Sequence, residues 1–209
     1  MTIQTYSQVI FDADGVLVDS RAEAWRAAED IVSIFESGVR VDSVESHQKY
    51  FGRDAQCGLV GEEASPVLRS MHRLIMRHRA HRLKTFPNVI EVARQLIVPA
   101  LVVTAAYAEG IQVALANDIT VFSTVVGREQ GTKVELLDSL RQSSDVIYIT
   151  DSRRDIAICH LLSIPVVAVT WGYSSSQCLA DANPDFLVRR PLELEALLSS
   201  FNLTRRASK

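Results

Sequence analysis

The chain has 209 residues, 47% hydrophobic and 22% charged, with a formal net charge of −3. That length suits one sizeable core, or a core carrying a smaller inserted module, and the composition is far from that of a disordered chain. The slight acidity excludes a general attraction to nucleic acid or acidic membranes, so a phosphate-bearing partner would need local cations.

The first β-branched run, QVIF at 8–11, leads into VIFDADGVLVDS. The N-terminal stretch MTIQTYSQVIF lacks the charged and apolar regions of a signal peptide, and no run approaches a membrane span, so a cytoplasmic protein is expected. The next strand-like run, ALVVT at 100–104, comes only after about eighty residues, far more than a βαβ crossover needs. Within that interval Ser20 and Glu23 fit a capping box, Trp25, Ala28, Ile31 and Phe35 fall at helical spacing, and Gly38 suits the C′ position. Further helices are expected near 42–50 and over 66–83, the latter opening on Pro66.

Residues 20–84 therefore read as an inserted helical cap, and 1–19 with 85–209 as the core. The cap's most loop-like stretch is YFGRDAQCGLVGEE, where Arg53 is either a substrate-pairing residue or a surface arginine beside a turn. Its basic helix, RSMHRLIMRHRAHRLK, stacks Arg69, Arg73 and Arg77 at i, i+4 spacing. Two readings stand: a solvated face opposite Met71, Leu74, Ile75 and Leu83, or a surface that steers anions. His72, His78 and His81 lack zinc-site spacing.

Beyond the cap, STVV (123–126), VIYIT (146–150), VVAVT (166–170) and FLV (186–188) alternate with helical patterns. Near-continuous apolar strands of this kind require a mainly parallel sheet covered on both faces, a doubly wound α/β core. The closing LTRRASK reads as a frayed tail. Cys57, Cys159 and Cys178 are too dispersed for a disulfide framework or a thiolate metal site.

Open α/β sheets bind ligands beyond the carboxyl ends of their strands. Asp12 and Asp14 project to one side of an extended segment, and two carboxylates that close call for a cation, a proton, or both. Asp151 ends another strand, and such oxygen ligands suit a hard cation. An Asp- and Gly-rich turn would account for the pair alone. It would not account for Thr104, Lys133 and Asp151 at other strand or helix boundaries.

Thr104 offers either its hydroxyl, with the Ala105 amide, to a phosphate oxygen or an N-cap to the next helix. Thr132 and Glu135 fit a capping box that places Lys133 in a helix's first turn, where the macrodipole disfavours a cation unless an anion lies near. A solvated lysine is the alternative. Ser152 and Asp155 match another capping pattern, so Asp155 either caps or orients Lys133. Arg153 and Arg154, early in the same helix, are either solvent-exposed side chains or phosphate contacts.

On these residues the chain resembles the haloacid dehalogenase superfamily, specifically its phosphoglycolate-phosphatase-like branch with a helical cap. FDADGVLVDS matches the first family motif, Thr104 the second, Lys133 the third and ITDSRRD the fourth, while VTWGY and DFLVRRPLELEALL resemble the branch's C-terminal end. The departures are Thr150 for the usual glycine, the apolar Ala105 and Ala106 after Thr104, and Val134 for a frequent proline.

The resemblance implies a Mg²⁺-dependent phosphatase acting on a small phosphorylated metabolite. In it Asp12 is the nucleophile that forms an aspartyl-phosphate, and Asp14 is the acid and then the base. Asp12, the Asp14 carbonyl and Asp151 hold the metal, and Thr104, Ala105 and Lys133 bind the phosphoryl group. Asp14 separates the chain from the true dehalogenases, which lack this acid. A β-phosphoglucomutase-type mutase and a weakly catalytic binding or regulatory protein remain as alternatives, and the sequence leaves the oligomeric state open.

Overall fold

The computed structural model describes residues 6–35, 38, 40–41, 46 and 66–205. The expected helix near 42–50, Arg53 and its loop, and Cys57 lie outside these, apart from Ser46.

The core is a parallel sheet of β1 (Gln8–Phe11), β4 (Ala100–Val103), β5 (Thr124–Val126), β6 (Val146–Thr150), β7 (Val166–Val169) and β8 (Phe186–Val188), in the spatial order β5-β4-β1-β6-β7-β8. Taken in chain order these six strands run 3-2-1-4-5-6 across the sheet, so the direction of winding reverses at β1. A crevice opens at such a reversal, outside the carboxyl ends of the strands. Phe11 pairs in register with Val102 on one side and Ile149 on the other. The residues just beyond β1, β4 and β6 are therefore brought to one rim.

Alternate strand residues feed two cores. Val9, Phe11, Val102, Ile147 and Ile149 face α3 (Pro87–Arg94), α4 (Ala108–Leu115) and α8 (Pro191–Ser200), while Ile10, Leu101, Val103 and Tyr148 face α5 (Lys133–Ser143), α6 (Arg153–Leu162) and α7 (Ser176–Asp181). Each fully buried large side chain contributes about 1.5–3 kcal/mol, so strand register and the position of the rim are strongly enforced.

The chain leaves the core through β2 (Val18–Asp19) and returns through β3 (Lys84–Thr85), which pair antiparallel with Val18 opposite Thr85. Between them lie α1 (Arg21–Phe35) and α2 (Pro66–His78), which share an apolar cluster of Ala28, Ile31, Val32, Leu68, Met71 and Ile75. The long helix expected over 66–83 stops at His78 and is followed by a 3-10 turn at Ala80–Arg82. Gly38 takes φ +84°, as a helix-terminating glycine can.

Two local expectations fail. Ser20 and Glu23 form no capping box: the Ser20 hydroxyl turns to Asp14 and Tyr173, and Glu23 pairs with Arg26 instead. The tail is not frayed from Leu203 to Arg205, because Leu203 is buried and its carbonyl accepts from the Ile97 N–H at 2.9 Å, while Arg205 N–H donates to Gln95 at 2.9 Å. Among the described residues no helix is long and apolar enough to cross a membrane.

Candidate active site

A cleft of about 1090 Å³ opens above the rim where β1 and β6 end. Asp12, Asp14, Ala105, Lys133, Asp151 and Asp155 all line it. Thr104 does not: it lies beneath, buried, with its hydroxyl accepting from the Ala106 N–H at 3.0 Å. The helix after it begins at Ala108 with Tyr107 as its N-cap residue, so Thr104 is not the cap. Its hydroxyl keeps a proton to donate.

The turn after β1 is built by Ala13, whose carbonyl accepts from the N–H groups of Leu17 and Val18, both at 2.9 Å. Gly15 at φ +75° makes the reversal feasible. The same glycine serves Asp151: a Cβ on Gly15 or on Gly172 would stand 2.2 Å from Asp151 Oδ2. The carboxylate sits between two backbones that only glycine lets approach so near. Tyr173 N–H fixes that oxygen at 2.6 Å.

Lys133 is the hub. The expected capping box forms, with the Thr132 hydroxyl accepting from Glu135 N–H and the Glu135 side chain accepting from Thr132 N–H. This sets Lys133 at the first position of α5, from which Nζ reaches Asp12 Oδ1 at 2.9 Å and Asp155 Oδ2 at 2.5 Å. Asp155 is thus tied to Lys133, and its backbone N–H donates to Ser152 Oγ at 3.4 Å.

Burial works to strip the lysine of its proton, but Asp12 and Asp155 hold its pKa above the ordinary value. Burial likewise opposes ionisation of Asp155, yet Lys133 and the hydrogen bonds around it hold that carboxyl below its usual range. Asp12 goes the other way: burial, then Asp155 and Asp151, outweigh Lys133 and raise it well above the carboxylate range. Burial also raises Asp14, against the Ser20 hydroxyl, and raises Asp151 to about 7.

The set Asp12, Asp14, Asp151 and Asp155 thus meets one buried ammonium, Lys133. Excess buried negative charge of this kind suits a divalent cation. No three His, Cys, Asp or Glu side chains close into a metal cage among the described residues. Carboxylate oxygens suit a hard ion, and Asp12 and Asp151 are the candidate donors.

Several site residues escaped the sequence reading. Ser20 donates to Asp14, and Tyr173 OH accepts from the Ser20 N–H at 3.0 Å. The segment after β7 is fastened over this turn by Trp171 Nε1, donating to the Val16 carbonyl at 3.3 Å, and by Arg21, donating to the Gly172 carbonyl at 2.5 Å. A polar Tyr beside Gly at a strand end was the available signal.

Thr150, noted only as a departure, is fully buried. Its Oγ1 accepts from Ser152 N–H at 3.1 Å and stands 3.3 Å from Asp12 Oδ2 and 3.2 Å from Asp155 Oδ2. Tyr148 OH also donates to Asp155 Oδ2, at 3.0 Å. Asp155 is well supplied, so the threonine proton matters most to Asp12.

No family model matches the chain. A phosphoglycolate phosphatase of Synechococcus elongatus is 38% identical over 53 residues, 25% of this chain and 25% of that protein, so the match spans about a quarter of the curated relative. Solved structures align over nearly the whole chain. A haloacid dehalogenase-like hydrolase of Streptococcus pneumoniae gives a TM-score of 0.75 at 21% identity, covering 95% of this chain and 100% of that one. A structure from Clostridium acetobutylicum described as a predicted phosphatase gives 0.76 at 19%, covering 94% and 99%.

A structure from Thermotoga maritima provisionally described as a β-phosphoglucomutase gives 0.65 at 19%, covering 92% and 98%. With the strand order and the two-sided core, these likenesses define the class: the chain has the haloacid dehalogenase-like α/β fold. Within that fold the solved neighbours include hydrolases and a mutase, so the shared architecture does not choose between them.

Proposed function

We propose that the chain is a Mg²⁺-dependent phosphatase that hydrolyses a small phosphorylated metabolite through an aspartyl-phosphate on Asp12. The observation that carries this reading is the Asp12 carboxylate itself, buried at the cleft floor, with Oδ1 held by Lys133 at 2.9 Å and by the Ala13 N–H at 2.8 Å. A carboxylate fixed in this way presents its other oxygen in one orientation, which is what nucleophilic attack requires. The partial likeness to a phosphoglycolate phosphatase supports the same chemistry.

In this reading an Asp12 oxygen attacks phosphorus while the ester oxygen departs with the proton of Asp14. Asp14, then a carboxylate, takes a proton from a water molecule that attacks the phosphorus of the aspartyl-phosphate, which releases phosphate and restores Asp12. The raised affinity of Asp14 for its proton suits the first role, and Ser20 holds the carboxyl in place for both. Lys133, the Ala105 amide and the Thr104 hydroxyl bind the phosphoryl oxygens.

Asp12, Asp151 and the Asp14 carbonyl would hold Mg²⁺, which supplies charge neutralisation to the transferring group. Residues 20–84 act as the cap over a core of 1–19 and 85–209.

The test is phosphate release from p-nitrophenyl phosphate. Release that needs Mg²⁺, stops with chelator and is lost in Asp12→Asn is the expected result. Equal release by wild type and Asp12→Asn overturns the assignment.

A further inference from the structure

Away from Asp12, the wall of the same cleft carries Arg73 and Arg77 from α2 and Arg128 from the loop after β5, with Tyr107 beside them. The guanidinium carbons of Arg77 and Arg128 each lie 5.4 Å from the centroid of the Tyr107 ring, so they stand no further apart than twice that distance. They arrive from different layers. Arg128 is fixed to the core: its backbone N–H donates to the Ala106 carbonyl at 3.0 Å, and a Cβ on the preceding Gly127 would lie 2.4 Å from the Ala108 nitrogen. The arginine therefore belongs to the loop that borders the phosphoryl-binding amide of Ala105.

Arg73 and Arg77 ride about one helical turn apart on α2. Gly110 on α4 lets that helix draw close, since a Cβ there would stand 3.5 Å from the Arg77 Cα. Arg77 is ion-paired with Glu109. For Arg73 and Arg128 no carboxylate partner stands among the described residues.

A half-buried guanidinium facing others is unfavourable. Burial, then Arg128 and Arg69, weaken the hold of Arg73 on its proton, opposed in part by Tyr107. A ring contributes only about 0.5–2 kcal/mol to a cation over its face, so Tyr107 orders these groups without neutralising them. An oxyanion would do both, because guanidinium forks match phosphate and carboxylate oxygens two at a time.

We propose that Arg77 and Arg128, flanking Tyr107, and Arg73, on the same cleft wall, form a second oxyanion site that takes the far acidic group of a substrate whose reacting phosphate lies at Asp12. This rests on the phosphatase reading for the position of the reacting end. The substrate class is a phosphomonoester with a second acidic group, phosphate or carboxylate, rather than an ester with a neutral far end. The site is built from α2 and from the loop after β5.

The test is calorimetric binding to the Asp12→Asn protein in the presence of Mg²⁺, with three probes that share one carbon chain. They are propyl phosphate, the phosphate ester of 3-hydroxypropionate, and propane-1,3-diol bisphosphate. At least one of the two doubly acidic probes is expected to bind about ten-fold or more tightly than propyl phosphate. Which of them wins identifies the far group.

That preference is expected to fall below about three-fold when Arg73→Gln and Arg128→Gln are added, separately or together, and to survive Arg82→Ala, which removes a cation outside the cleft. Equal affinity for all three probes, a preference that survives loss of Arg73 and Arg128, or no binding of any probe overturns the proposal. Binding with the expected pattern but no hydrolysis by wild type leaves the second site standing and removes the phosphatase reading.

Discussion

On the floor of the cleft Lys133 stands between Asp12 and Asp155 at 2.9 and 2.5 Å, whereas on the wall Arg77 and Arg128 flank Tyr107, Arg73 lines the same cleft, and of these three arginines only Arg77 is ion-paired among the described residues. The floor sets opposite charges against one another within the chain, so its geometry is fixed before any ligand arrives. The wall sets like charges together, so its balance depends on what binds. Reacting groups must not shift between substrates, while groups that select substrates gain from being incomplete without one. The anchors differ accordingly: Asp12 and Asp151 directly follow β1 and β6 and Asp155 lies in the first turn of α6, but Arg73 and Arg77 belong to a helix between β2 and β3.

The hardest way to break the floor is at Asp12, the proposed nucleophile. Asp12→Asn is expected to lower kcat for p-nitrophenyl phosphate by about a thousand-fold or more, with binding of the doubly acidic probes retained. Next is Lys133→Ala, which strands Asp12 and Asp155 without their shared cation. Activity is expected to fall about a hundred-fold or more. Removing one partner from a buried pair also costs about 3–5 kcal/mol, measurable by urea denaturation. No such stability loss is expected for Arg73→Gln, which has no paired carboxylate to strand among the described residues.

The pH dependence sharpens the contrast further. Asp151, raised to about 7 by burial, keeps its proton in the fold at pH values where the unfolded chain has lost it. The native state then binds more protons than the unfolded one, so metal-free stability is expected to fall as pH rises from about 4 to about 7. Asp155, held below its usual range, contributes with the opposite sign: its stabilisation is present above the unfolded carboxylate pKa and is lost as pH falls through the folded one. Thermal melts from pH 4 to 8 in chelator should show the first trend. In Mg²⁺ the fall should be reduced, because the ion favours the ionised carboxylate.

The smallest expected effect is at Thr150. Thr150→Val removes the hydroxyl between Asp12 and Asp155 while nearly keeping the volume. A hydrogen bond to a charged group contributes about 1.5–3 kcal/mol, so kcat should fall about ten-fold or more, with Thr150→Ser restoring most of it. Equal kcat for the valine and serine variants would remove Thr150 from the positioning of Asp12.

Much of this architecture was readable in the residues. VIYIT and FLV became β6 and β8 without change, because β-branched runs between helical patterns have few places to go but a covered parallel sheet. Lys133 was conspicuous because a capping box put a cation where the helix dipole opposes it. What stayed hidden depends on which strands become neighbours. Thr150 faces Asp12 only because β1 and β6 pair in register, and Tyr173 reaches Ser20 only because the segment after β7 folds back over the first turn. Local pattern misled where tertiary partners competed. Ser20 looked like a cap for Glu23 and instead serves Asp14, and the closing residues looked solvated although Leu203 is buried.

The most direct measurement is a rapid acid quench of wild-type protein mixed with a phosphomonoester and Mg²⁺, followed by mass spectrometry of the proteolytic peptides. One phosphoryl group on the peptide containing Asp12, rising before free phosphate and absent from Asp12→Asn, is the expected result. Full-rate phosphate release with no phosphorylated peptide, or with the phosphoryl group on a different residue, would contradict the account.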